Sequence, residues 1–125
     1  MRHHTRVICI ATLIAVASAG STSVAHAQKV VTAQEASQHV GETVTVTGTV
    51  GDVGHSQRSN TTFVNFGPPF PNHTFTAVIF AAAASLFPDV DSWKGKTLSI
   101  TGVVKMYRGK PEIVLESPKQ VTAQK

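Results

Sequence analysis

From Thr43 the chain alternates with a period of two: Val44, Val46, Gly48 and Val50 on one side, Thr43, Thr45, Thr47 and Thr49 on the other. That pattern predicts a half-buried strand with β-branched residues on its wetter face. Gly51-Asp52-Val53-Gly54 ends or bends it, polar Ser56–Thr61 forms a loop, and Thr62–Phe66 makes a second strand. Gly67-Pro68-Pro69-Phe70-Pro71-Asn72 cannot join a ladder, because proline lacks the backbone donor. Phe75, Ala77 and Ile79 alternate with Thr76 and Val78 in a third strand. Ala81–Leu86 is alanine-rich and predicts a short helix halted by Pro88, followed by a loop, Asp89–Lys94, that holds the single tryptophan, Trp93. A fourth strand runs to about Met106, Tyr107-Arg108-Gly109-Lys110 reads as a tight hairpin turn, and Ile113 and Leu115 mark the buried side of a fifth strand that Pro118 closes. Before all of these, Thr32 and Glu35 have the spacing of a capping box, predicting a short helix that Gly41 stops.

The fourth strand repeats the first. Gly41-Glu42-Thr43-Val44-Thr45-Val46-Thr47-Gly48-Thr49-Val50 returns as Gly95-Lys96-Thr97-Leu98-Ser99-Ile100-Thr101-Gly102-Val103-Val104. Two copies are too few for a solenoid. They describe one strand type used at two equivalent places in a small β fold, with threonines outward, valines and isoleucine inward. Gly48 and Gly102 are read as the points where each strand bends. Five strands with a helix between the third and fourth predict an all-β fold, a five-stranded OB-fold barrel, with a short N-terminal helix added.

The N-terminus changes the picture of what folds. Arg2, His3, His4 and Arg6 precede an apolar run, Val7–Ala19, and Ala25-His26-Ala27 has the form of a signal-peptidase site. Thirteen apolar residues are too few to span a bilayer, which needs about 20. The expectation is a signal peptide over 1–27, with no stable membrane anchor after cleavage, and a single OB-fold domain over 28–125. That domain would be periplasmic or secreted. The one cysteine, Cys9, lies in the leader, so the domain would rely on packing without disulfides. Without Arg2 and Arg6, 9 Lys and Arg face 7 Asp and Glu, a mild positive excess that permits an anionic partner without demanding one.

Several segments also carry a family resemblance. Thr62-Phe63-Val64-Asn65-Phe66-Gly67, Phe70-Pro71-Asn72, Phe75–Phe80 and Tyr107-Arg108-Gly109-Lys110-Pro111-Glu112-Ile113 resemble a bacterial OB-fold family. Its members occur as small exported proteins and as modules attached to secreted nucleases of the thermonuclease type. The resemblance covers roughly residues 40–121 and implies nucleic-acid binding, a property attached to the family through its fold.

Candidate chemistry is sparse. Carboxylates are few, and Asp89 with Asp91 cannot fill a calcium shell of six to eight oxygens. His39, His55 and His73 lack metal-motif spacing. The thermonuclease catalytic machinery is absent. No catalytic residue, metal or cofactor is therefore expected, and the protein reads as non-enzymatic.

Binding is the better reading. An OB-fold presents ligands on the outer face of its second and third strands, flanked by the loops joining strands one to two and four to five. Single-stranded nucleic acid needs stacking surfaces and a basic track. The candidates are His55, Arg58 and Asn60 in the first loop, Tyr107, Arg108 and Lys110 in the second, and Phe63, Asn65, Phe70 and His73 between them. Single-stranded nucleic acid is the first expected partner. The alternative is another envelope or secreted protein, or a small ligand, bound in envelope stress tolerance.

Overall fold

The computed structural model describes residues 29–123, so the expected leader, Cys9 included, lies outside the described residues. The chain enters as β1 (Val30–Thr32) and turns at the predicted capping box. Thr32 Oγ1 accepts from the Glu35 N–H at 3.2 Å, and Glu35 Oε1 accepts from the Thr32 N–H at 3.0 Å. The helix it opens, Ala33–His39, is 3-10 rather than α, and it buries Ala33 and Ala36 against the sheet.

The remaining strands are β2 (Thr43–Ser56), β3 (Thr61–Phe66), β4 (Phe75–Ile79), β5 (Thr97–Val103), β6 (Lys105–Tyr107), β7 (Lys110–Val114) and β8 (Val121–Ala123). The five expected strands thus become eight. The hydrogen-bonded order is β6-β7-β4-β3-β2-β5-β8, an open path rather than a closed barrel, with β1 parallel to β2 beside it. Two causes account for the difference. Short strands β1 and β8 are added at the ends of the domain. The expected fourth strand is also split into β5 and β6 by Val104, whose N–H and C=O turn to Glu42 O (3.0 Å) and Gly41 N (2.8 Å). The predicted helix at Ala81–Leu86 is again a 3-10 segment, and part of the following loop, Val90–Trp93, is another. Trp93 is buried edge-on against Phe87, the anchor of its loop.

The repeated decamer has a plain structural meaning. Its copies pair with each other, antiparallel, about a pseudo-twofold axis through Val46 and Ile100, the sixth residue of each. Each first glycine donates to the last carbonyl of the other copy, Gly41 N to Val104 O and Gly95 N to Val50 O, both at 2.8 Å. The turn before each copy also repeats. Val40 (φ −59°, ψ 131°) with Gly41 (φ 88°), and Lys94 (φ −55°, ψ 128°) with Gly95 (φ 85°), form type II turns, whose third position requires positive φ. On one face the valines, Leu98 and Ile100 enter the core. On the other, hydroxyls meet across the strands: Thr45 with Thr101 (2.8 Å), Thr47 with Ser99 (3.0 Å) and Thr49 with Thr97 (3.0 Å).

Gly48 and Gly102, the expected bends, lie in unbroken register with the paired strand. They make room: a Cβ on Gly48 would lie 3.2 Å from the Phe66 ring, and one on Gly102 2.5 Å from Ile113 Cγ2. The irregularity in β2 falls instead between Val50 and Asp52, where the register shifts and β2 passes from pairing with β5 to pairing with β3. Gly51 sits in that bulge, where a Cβ would stand 2.2 Å from Gly67 O. The core beneath is apolar and centred on Phe66 and Phe75, packed edge to face at 5.3 Å. Burying each such ring contributes roughly 1.5–3 kcal/mol.

Candidate functional site

Strand pairing lays one row of polar side chains across the sheet. Asp52 is opposite Asn65, Asn65 opposite Thr76, Thr76 opposite Glu112, and Glu112 opposite Lys105, so the row crosses β2, β3, β4, β7 and β6. Residues opposite one another on paired strands point to the same face. All of this row but Lys105 lines a cleft of about 630 Å³ and forms its floor. The floor is partly wired together. Thr76 Oγ1 donates to Asn65 Oδ1 (3.0 Å), and Asn65 Nδ2 donates to Asp52 Oδ1 (3.2 Å). The same Asp52 oxygen accepts from the Phe70 N–H at 3.1 Å, tying the proline-rich loop to the floor.

Aromatic side chains stand around this row. Phe63 lies on the cleft face beside Asn65, whereas Phe66 points into the core. Phe70 is 67 % exposed, and its ring stacks on the His73 imidazole at 5.5 Å and 22°. Tyr107 is 54 % exposed and carries the Arg108 guanidinium 5.2 Å from its ring centroid. The Tyr107–Lys110 hairpin has two central residues with positive φ, Arg108 at 50° and Gly109 at 81°, the signature of a type I′ turn. It projects Arg108 at the cleft rim.

Eight of the ten residues expected to contact a ligand line this cleft: His55, Phe63, Asn65, Phe70, His73, Tyr107, Arg108 and Lys110. Arg58 and Asn60 do not. They lie in the β2–β3 turn, with Asn60 at φ 56°. Three of the eight have side chains already hydrogen-bonded within the protein. Lys110 Nζ donates to the backbone oxygens of Pro71 and of His73 (2.8 Å for the latter), so the ammonium staples the proline loop to β7. Asn65 is 3 % exposed and its amide serves the floor network. His55 bridges Thr62 Oγ1 (3.0 Å) and Asp91 (2.6 Å). These partners come from positions 7 and 36 residues away, so no local sequence signal marks them.

Neither Asp52 nor Glu112 is among the residues expected from the sequence to contact a ligand. Both line the cleft. Burial raises the Glu112 carboxyl above its ordinary value, with Lys105 opposing. Burial, then the neighbouring Lys110 ammonium, holds His73 below its ordinary value against the pull of Asp52. His73 Nδ1 is buried without a hydrogen-bond partner, consistent with a neutral imidazole. No group of three or more His, Cys, Asp or Glu among the described residues is placed to hold a metal ion.

Comparison with known proteins supports the fold alone. No family model and no curated protein matches the chain. Among solved structures, a putative aspartyl-tRNA synthetase from Leishmania major Friedlin aligns with TM-score 0.53 and 9 % identity. That alignment covers 83 % of this chain but only 22 % of the synthetase. An OBody bound to hen egg-white lysozyme aligns with TM-score 0.50 and 19 % identity, covering 70 % of this chain and 83 % of the OBody. The protein is predominantly β, and its fold is of the OB type.

Proposed function

We propose that the protein is an exported, non-enzymatic binding protein whose cleft takes single-stranded nucleic acid with modest affinity. The observation that carries this reading is the pair of exposed rings, Phe70 and Tyr107, on either side of a polar floor, with Arg108 beside Tyr107. Bases stack on such rings whatever their sequence, at about 1–3 kcal/mol each. Arg108 supplies the phosphate contact. Lys110 acts by holding the loop that presents Phe70, and Arg58 at the β2–β3 turn extends the track for a longer strand. The resemblance to modules attached to secreted nucleases points the same way.

Fluorescence anisotropy with a labelled oligonucleotide at low salt tests this. Phe70→Ala and Tyr107→Ala should each weaken binding by roughly 5- to 150-fold. Gly54 lines the cleft opposite Phe63, and a Cβ there meets nothing within 4 Å. Gly54→Phe should therefore block the cleft while leaving the fold intact. Absence of any oligonucleotide association, or binding indifferent to salt and to these substitutions, rejects the proposal.

A second reading draws on Asp52 and Glu112. Two carboxylates in the cleft, with Lys110 already engaged, suit a peptide or small ligand better than a densely charged strand. The OBody neighbour is bound to a protein. Arg108→Ala discriminates: it should remove most phosphate-driven binding and spare a mainly apolar protein contact.

A further inference from the structure

Carboxylates repel phosphate, so their place in a cleft for nucleic acid needs its own explanation. Asp52 and Glu112 stand near the two ends of the polar row, separated by the Asn65–Thr76 pair. Asp52 is held in one orientation, because Oδ1 accepts both the Asn65 amide and the Phe70 N–H. That leaves Oδ2 with no hydrogen bond among the described residues and able to accept from a ligand. Its bond to the Phe70 backbone puts it at the foot of the Phe70 platform. Glu112 is the diagonal cross-strand neighbour of Tyr107, since Tyr107 pairs with Lys110 and Lys105 with Glu112. Each exposed ring therefore has a carboxylate at its base, where the edge of a stacked base would lie.

We infer that Asp52 and Glu112 read amino-bearing base edges, so that the cleft prefers cytosine to thymine or uracil. This rests on the nucleic-acid reading and deepens it. A carboxylate accepts from the cytosine N4 amino group. Thymine offers a carbonyl at the same position, which the carboxylate repels. Its N3–H is a donor, but it is flanked by two carbonyl oxygens that oppose a negative acceptor. Cytosine and thymine have the same ring size, so stacking on Phe70 and Tyr107 changes little between them, and the edge decides.

The test compares oligo-dC and oligo-dT of about eight residues, within the range an OB-fold covers. Binding is read by anisotropy at near-neutral pH and low salt. The wild-type protein should bind oligo-dC at least about fivefold more tightly. The Asp52→Asn/Glu112→Gln double variant keeps an oxygen for the Phe70 N–H and removes both charges. It should bring the two affinities within about twofold, with oligo-dT binding unchanged or tighter, and circular dichroism should show the native spectrum. Equal binding of the two oligonucleotides by wild type overturns the inference and leaves the nucleic-acid reading standing, as does a preference that survives the double variant. If wild type binds neither, the nucleic-acid reading itself fails.

Discussion

Arg108 shows how one residue serves two ends that oppose each other. At φ 50° it occupies the left-handed region, where an L side chain costs about 1–2 kcal/mol and asparagine or glycine costs less. Arg108→Asn should therefore raise stability by about 1 kcal/mol in urea unfolding, while weakening oligonucleotide binding. Glu112 behaves similarly. Its carboxyl titrates above the ordinary 4.5 because it is partly buried. Between these two values the folded protein holds the proton that the unfolded chain has lost, so ionisation at higher pH destabilises the fold. Glu112→Gln should stabilise the protein at pH 7, with the gain vanishing as pH falls below the ordinary carboxyl value. His73 runs the other way. Its folded value lies below 6.5, so acidification protonates the unfolded chain first. Stability from this residue is full above 6.5 and is lost as pH falls toward the folded value. Denaturation midpoints from pH 7 to 5 should fall for wild type and fall less for His73→Gln.

Among the elements, the paired decamers carry the clearest logic. The fourth hydroxyl rung is missing because Thr43 faces Val103 where the other copy has Thr49 facing Thr97. Val103→Thr should complete it and add about 0.2–1 kcal/mol, measured by thermal or urea unfolding. Gly102 tolerates no such addition. Gly102→Ala drives a methyl toward Ile113 and should cost about 1–3 kcal/mol, whereas Gly54→Ala, facing open space, should be close to neutral. Strand type, alternation and the hairpin were all legible in the residues, because β-branched alternation and turn chemistry act within a few positions. The capping box was legible for the same reason. The interruption at Val104 was not, since it depends on backbone partners at Gly41 and Glu42.

For the whole molecule, the electrostatics of the cleft set the expected salt response. With Lys110 occupied and Arg108 the principal rim cation, about one phosphate is neutralised per bound strand. The slope of log K against log salt should be near −0.7, and Arg108→Ala should flatten it. A much steeper slope would mean that Arg58 and other surface lysines carry the contact. Which aromatics face solvent is likewise a property of the assembled sheet. Phe63 against Phe66, and Phe75 against Phe80, were recognisable as pairs of opposite facing from the period of two. That Phe66 rather than Phe63 meets Phe75 in the core, and that Phe80 is 50 % exposed, is settled by how the sheet packs. The fate of Phe70 lay beyond the alternation, because a loop has no period to read. Five main strands, the two equivalent decamers and the turn that lifts Arg108 are legible in the residues alone, through interactions of short range. The register that sets the decamers about a common axis, the staple made by Lys110, and the place of Asp52 beside Glu112 on one floor come from the assembled fold. Those depend on register between strands far apart in the chain, and register is settled by how the buried faces pack together.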